Sequence, residues 1–276
     1  MSQPVAIVTG ASSGIGAATA RRLADADYTV YAVARRLERL QPLASEGVRI
    51  AAADVTDDAS MVGLVDTVMT ETGRIDVLVN NAGYGSYGAL EDVPIAEARR
   101  QFEVNVFGLA RLIQLVLPHM RQRRDGYIVN ISSMGGRIWE PLGSWYHATK
   151  FAVEGLSDSL RVELAPFGIN VVIIEPGSIR TEWGDIAADG LEAVSGAGAY
   201  RDQVKVVSSA LRAADHSRVA SGPDVVATAV VRAVQSGRPR TRYPVGGGAR
   251  LMLTARAVLP DRGFDRFIRL MHRSVG

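Results

Sequence analysis

The sequence contains no cysteine. That excludes disulfide bridges, a thiol nucleophile and thiolate metal ligands, without fixing the compartment. It contains two lysines, Lys150 and Lys205, against 29 arginines. Positive charge is almost always written as arginine, so each lysine asks for a reason. Apolar runs are short: LIQLVLPHM (112–120) is among the longest, and it is too brief and interrupted to span a bilayer. The opening MSQPVAIVTG passes directly into a strand-like stretch, with no basic segment and signal-peptide core before it. A cytoplasmic protein is the expectation. The four histidines, His119, His147, His216 and His272, are scattered and match no metal spacing. They read as ordinary helix or surface residues, and no metal is expected.

What is present is a globular composition, 47% hydrophobic and 22% charged, in 276 residues. Net charge is +2 but unevenly placed. From Leu211 onward twelve Arg stand against four Asp, with no Lys or Glu, a net of +8 that leaves −6 for the first 210 residues. Such asymmetry can mark a basic tail for nucleic acid or membrane. Here the arginines are dispersed among apolar residues. That predicts a packed peripheral helix or a subunit contact, and no nucleic-acid partner.

Strand-length apolar runs alternate with helix-length amphipathic stretches. VAIVT (5–9), TVYAVA (29–34), VRIAAAD (48–54), IDVLVN (75–80), GYIVNIS (126–132), INVVIIE (169–175) and TRYPV (241–245) are the strand candidates. Between them lie GIGAATARRLADA, RRLERLQPLA, DASMVGLVDTVMTE, a long stretch from Pro94 to about Arg121, the segment around Tyr146, and GPDVVATAVVRAVQS opened by Pro223. Strands this apolar are buried on both faces, and their alternation with helices implies a parallel sheet. No repeat, linker or low-complexity tract interrupts the chain. The prediction is one α/β domain over 1–276, doubly wound, with a C-terminal helical extension from 246.

The first strand ends in TGASSGIG, with Gly10, Gly14 and Gly16 spaced G-x-x-x-G-x-G. Glycines allow a tight strand-to-helix turn and close approach of a phosphate, and the helix start offers free N–H groups. The placement after the first strand and before the first helix is the context this motif needs. Further on, Tyr146 and Lys150 are four residues apart, hence neighbours on one helical face. A compact ammonium differs from a planar guanidinium. On that spacing alone, a solvated surface pair remains open.

TGASSGIG, NNAG at 80–83, Ser133, Tyr146 and Lys150 together resemble the short-chain dehydrogenase/reductase family, in its short oxidoreductase branch, over Val5 to about Val245. The resemblance implies a seven-stranded Rossmann-type sheet and a nicotinamide cofactor. It implies that Tyr146 is the general acid in carbonyl reduction and the base in alcohol oxidation. A free phenol loses its proton near pH 10, and the Lys150 ammonium would favour the phenolate while its amine holds the nicotinamide ribose. Ser133, at the end of a strand and thirteen residues before Tyr146, would bond the substrate oxygen; Ser132 is the alternative serine. Asn105 in FEVNVFG would be the fourth catalytic residue, holding a water in the proton path to Lys150.

The same resemblance assigns a cofactor set. Ser12, Ser13 and Ile15 would join the three glycines around the phosphates. Asp54 and Val55 would meet the adenine, and Asn81, Ala82 and Gly83 would pass along the adenosine ribose. Pro176, Gly177, Ile179 and Thr181 would flank the nicotinamide, with Glu175 where relatives commonly have Asn. At the end of the second strand, an acid would take the ribose 2′-OH of NAD. Ala34 stands there instead, followed by Arg35 and Arg36. No carboxylate repels a 2′-phosphate and a guanidinium can bind one, so NADP(H) is expected.

On the substrate side, 182–221 corresponds to the variable covering segment. Met134, Ile138, Trp139, Tyr84 and Trp183 fall near pocket positions and suggest a lipophilic ketone, aldehyde or secondary alcohol; core or subunit contacts are the other use for such residues. In the extension, Phe264, Phe267, Ile268 and Met271 mark one helical face, with Arg262, Arg266, Arg269 and Arg273 on much of the other. Pro260 should separate two helices. The apolar face should pack beside the substrate cleft or against a second subunit in a homodimer or homotetramer, with a membrane surface as the alternative. A nucleotide-sensing protein without turnover, or an epimerase or dehydratase, are the other functions this fold can carry.

Overall fold

The computed structural model describes residues 3–217 and 219–273; the side chains of His216, His272 and Arg273, named above, lie outside the described set. Each apolar run becomes a strand. β1 (Val5–Thr9) is buried throughout, as are five of the six residues of β2 (Thr29–Ala34). β3 (Arg49–Ala52), β4 (Val77–Asn80), β5 (Gly126–Ile131), β6 (Ile169–Pro176) and β7 (Arg242–Val245) complete one sheet in the order β3-β2-β1-β4-β5-β6-β7. All six pairings are parallel. The chain changes direction of travel between β1 and β4, and open sheets of this kind bind ligands at that switch.

The helices are α1 (Gly14–Ala24), α2 (Gln41–Ser45), α3 (Asp58–Thr72), α4 (Ile95–Phe102), α5 (Leu109–Arg123), α6 (Ser144–Leu164), α7 (Trp183–Ser195), α8 (Arg201–His216), α9 (Asp224–Val234), α10 (Ala249–Val258) and α11 (Asp261–Arg273). Two differ from expectation. RRLERLQPLA forms a tight 3-10 turn over Leu37–Leu40 and then the five-residue α2, because Pro42 at its start withholds an N–H. The long helix after Pro94 is not continuous: α4 and α5 are joined by a π-helical segment, Glu103–Gly108.

Alternation along the strands divides the core. Ala6 and Val8 face one side with Leu23, Val226 and Val230, under α1 and α9. Val5 and Ile7 face the other with Val65, Leu112 and Val153, under α3, α5 and α6. A third cluster joins α7 and α8 to Tyr87, Leu142 and Tyr146. A fourth joins α10 and α11 to the loop after β5 through Ile138, Met252, Phe264 and Ile268. The extension therefore takes the first of its two expected placements, packed beside the loop after β5, with Met271 46% exposed.

Asp76 closes the bottom of the sheet. It is 6% exposed, and its Oδ2 accepts Val5 N–H at 2.7 Å and Arg74 Nε at 2.8 Å. Its Oδ1 faces Arg74 Nη2 at 2.6 Å and Arg123 Nη2. Burial alone would push this carboxyl up, but the bonds from Arg74, Val5 and Arg123 outweigh it and hold it below the ordinary range. A depressed carboxyl contributes stability above its unfolded pKa of about 4, lost as pH falls through the folded value. Asp76→Asn is expected to cost about 2 kcal/mol near pH 7. Urea melts of the two proteins should converge as pH is lowered below about 4.

Candidate active site

The turn after β1 needs its glycines. Gly10 and Gly14 have φ of +64° and +52°, which favours glycine. A Cβ on Gly16 would strike Gly10 O, so α1 can start this close to β1 only without one. Asn81 holds the turn from the far side: its Nδ2 donates to Thr9 O at 3.0 Å and Gly10 O at 3.1 Å. The N–H groups of Asn81 and Ala82 both donate to Thr9 Oγ1 at 3.0 Å. Ala11 N–H reaches Val33 O at 3.0 Å and ties the turn to the end of β2.

Around this turn opens a cavity of about 630 Å³. Of the predicted cofactor residues, Gly10, Ser12, Ser13, Gly14, Ile15, Arg35, Arg36, Asp54, Val55, Asn81, Ala82, Gly83, Pro176, Gly177, Ile179 and Thr181 line it. Gly16 and Asn105 do not; both lie behind the wall. The residues fit a dinucleotide. Ser13 makes no side-chain cap bond and α1 has no acid in its first turn, so its N–H groups are left for an anion. Ala34 is buried at the end of β2, and the guanidinium-bearing Arg35 and Arg36 beyond it are exposed at the rim.

Ser133, Tyr146 and Lys150 line the same cavity. Ser133 follows β5, and its Oγ accepts Gly135 N–H at 3.0 Å, which leaves the hydroxyl hydrogen to point elsewhere. Tyr146, 7% exposed, sits on the first turn of α6, its ring 5.6 Å from Tyr87 and 5.2 Å from Trp183. Lys150 follows one turn later, and its Nζ donates to Ile131 O at 2.9 Å. Burial pushes this ammonium down to about 8, opposed by the nearby carboxylate of Glu154.

Asn105 stands in the π-helical segment, 2% exposed. Its Oδ1 accepts Tyr84 N–H at 3.0 Å, and its Nδ2 donates to Tyr84 O at 2.9 Å and Thr149 Oγ1 at 3.1 Å. Thr149 in turn donates to Tyr146 O at 2.8 Å. The side chain thus clamps the loop after β4 to the first turn of α6. Both ends of its amide are engaged in that clamp.

The substrate end differs more from expectation. Met134, Ile138, Tyr84 and Trp183 line the cavity, but Trp139 does not. Its ring packs 5.1 Å from Phe264, under the Arg256 guanidinium, and its Nε1 donates to Asp265 at 2.9 Å. The indole has a better-matched partner in α11 than the cavity offers. His147 is not an ordinary surface residue either. It is 6% exposed; Nδ1 donates to Gly135 O at 2.8 Å and Nε2 accepts Glu140 N–H at 3.1 Å, pinning the loop that carries Ser133. Tyr87 and the α8 face of Val207, Ala210, Leu211 and Ala214 also line the cavity and were not singled out from sequence. The 3-1-3 spacing of the α8 residues was a readable signal; Tyr87 carried none.

The chain matches the model of the short chain dehydrogenase family over residues 4–189. It is 36% identical to the oxidoreductase YusZ of Bacillus subtilis, covering 98% of both chains. It is 32% identical to the NADPH-dependent 3-dehydrocapnine reductase of Ornithobacterium rhinotracheale, over 95% of this chain and 94% of that one. It is 41% identical to the 3-ketodihydrosphingosine reductase of Bacteroides thetaiotaomicron, over 67% of each. A short-chain dehydrogenase from Streptomyces avermitilis superposes with a TM-score of 0.81 at 35% identity, over 99% of this chain and 98% of that one. Similar folds carry either cofactor: a metagenomic oxidoreductase with NADP (TM-score 0.69, 29% identity, 89% and 97% covered) and a xylitol dehydrogenase with NAD+ (0.77, 29%, 89% and 98%). Seven parallel strands, a glycine turn at the switch point and Ser133, Tyr146 and Lys150 in one cavity agree with these matches, and the chain belongs to the short-chain dehydrogenase family of oxidoreductases.

Proposed function

We propose that the protein is an NADP(H)-dependent oxidoreductase acting on a lipophilic ketone, aldehyde or secondary alcohol. The observation that carries this is the shared cavity: Tyr146 and Ser133 face the same space as the glycine turn, Arg35 and Arg36. The nicotinamide, when bound, supplies or takes the hydride. Tyr146 delivers the proton to the carbonyl oxygen, or removes it from the alcohol. Ser133 Oγ donates to that oxygen, where negative charge develops. Lys150 stabilises the phenolate. Asn105 keeps the catalytic turn of α6 in register with the loop after β4.

The apolar end, with Tyr87, Met134, Ile138, Trp183, Ile186 and Leu211, supports a lipophilic substrate. A carbonyl and alcohol panel followed by NADPH absorbance tests the activity, with 3-ketodihydrosphingosine, named in one relative, among its members. Net NADPH oxidation separates a reductase from an epimerase or dehydratase, and its complete absence across the panel favours a sensing protein.

Cofactor choice follows from Ala34 and its two arginines. Ala34→Asp with Arg35→Ala should reverse the preference from NADPH to NADH, because it adds an acid for a ribose 2′-OH and removes a 2′-phosphate partner. Fluorescence titration with both cofactors reads it. Equal affinity of the unsubstituted protein for NADPH and NADH would remove the basis for this choice.

A further inference from the structure

Beneath the loop that carries Ser133 lies a buried charge cluster that the proposed chemistry does not use. Glu154 follows Lys150 by one turn of α6 and is 6% exposed; Glu175, at the end of β6, is 1% exposed. Arg242 from β7 reaches between them. Its Nε donates to Glu154 Oε2 at 3.0 Å and lies 3.6 Å from Glu175 Oε1. Its Nη2 donates to Asp158 Oδ2 at 2.7 Å. Asp158 is shared with Arg161 on the same helix. Arg137, from the loop after β5, approaches Glu175 Oε1 only to 3.7 Å. The Oε1 atoms of Glu154 and of Glu175 are both buried without a hydrogen-bond partner.

Two buried carboxyls thus flank one guanidinium that Asp158 also claims. Two like charges against one shared guanidinium resist full ionisation, and a proton on either carboxyl relieves the repulsion. The cluster touches the catalytic turn. A Cβ on Gly136 would lie 2.9 Å from Glu154 Cγ and 3.1 Å from Lys150 O, so the Ser133 loop, Lys150 and Glu154 meet there. The titratable and charged groups around the pair are Lys150 and Asp158 from α6, Arg137 from the β5 loop and Arg242 from β7, with Arg161 reaching Asp158 alone.

We propose that Glu154 is a positioning residue for Lys150: its carboxylate is the counter-charge that keeps the amine protonated, and Glu175, by gaining or losing a proton on the far side of Arg242, makes that support pH-dependent. The functional importance of this rests on the reading of Lys150 given above. Consistent with it, burial pushes Glu175 up to about 7, reinforced by Glu154, and burial likewise raises Glu154.

The two lysines allow a direct test. Lysine labelled with ¹³C gives two side-chain signals in the full-length protein, and Lys205→Arg assigns them. In the unsubstituted protein the Lys150 ε-carbon should titrate with its main step near 8 and a smaller inflection near neutrality. Glu154→Gln should lower the main midpoint by about one unit. Glu175→Gln should abolish the smaller inflection while leaving the main step. An unchanged midpoint in folded Glu154→Gln overturns the counter-charge. A missing inflection in the unsubstituted protein, or one that survives Glu175→Gln, overturns the role of Glu175. Because the readout is not turnover, an inactive carbonyl panel beside the expected titrations would sink the functional assignment and leave this one standing.

Discussion

Tyr146→Phe is expected to lower carbonyl reduction by about 10²–10⁴-fold while cofactor affinity stays within a few-fold. The substitution removes one hydroxyl and little else. The ring stays between Tyr87 and Trp183, whose contacts are made by the aromatic faces and edges. The helix turn stays tied through Thr149, which bonds the backbone of residue 146 rather than its side chain. Loss of rate with binding intact therefore isolates proton transfer. Lys150→Arg is the informative companion. Its amine donates to Ile131 O in a confined position, and a planar guanidinium there should damage both binding and rate. Single-turnover NADPH oxidation and fluorescence titration separate the two. Near-unsubstituted turnover by Tyr146→Phe would show that the assigned acid is wrong.

The sheet was legible because its signal is local. VAIVT and TVYAVA become β1 and β2 with the predicted bounds, since continuous apolar runs flanked by polar turns leave few alternatives. Ser133, Tyr146 and Lys150 were legible through the family resemblance; spacing alone put only Tyr146 and Lys150 on one helical face, and the structure shows all three lining one cavity. What the pattern hid was non-local. Trp139 carries no mark in sequence that a residue 126 positions away would draw it out of the cavity. His147 read as an ordinary helix or surface residue, and only the fold places Gly135 O and Glu140 N–H against its two nitrogens. Glu154 and Glu175 lie on different elements, and nothing short of the parallel pairing of β6 with β7 puts Arg242 beside both.

Phe264→Ala should cost about 3–5 kcal/mol if the extension unfolds with the rest of the chain. Phe264 is fully buried, and removing its ring leaves a hole bounded by Trp139, Ile138 and Phe267. Arg256 would also lose an aromatic face 5.9 Å away, though it keeps the nearer one on Trp139 at 4.6 Å. Point substitution is a cleaner probe than deleting the extension. Gly247 exchanges backbone hydrogen bonds with Ser178, and Gly177 would strike Gly247 O if it bore a Cβ, so a cut after Gly246 would disturb the turn at the cavity wall. The ring at 264 does not line the cavity itself and packs within the fourth cluster. Met134 and Ile138 both line the cavity and both pack against this cluster, so loosening it should raise the substrate KM. NADPH affinity should hold, because the glycine turn, Arg35 and Arg36 lie outside the fourth cluster. If the extension is an independently melting unit, an early transition will appear in the denaturant curve and the main one will stay in place. A single transition with an unchanged midpoint, together with unchanged KM, would mean that α11 supports neither the fold nor the cleft.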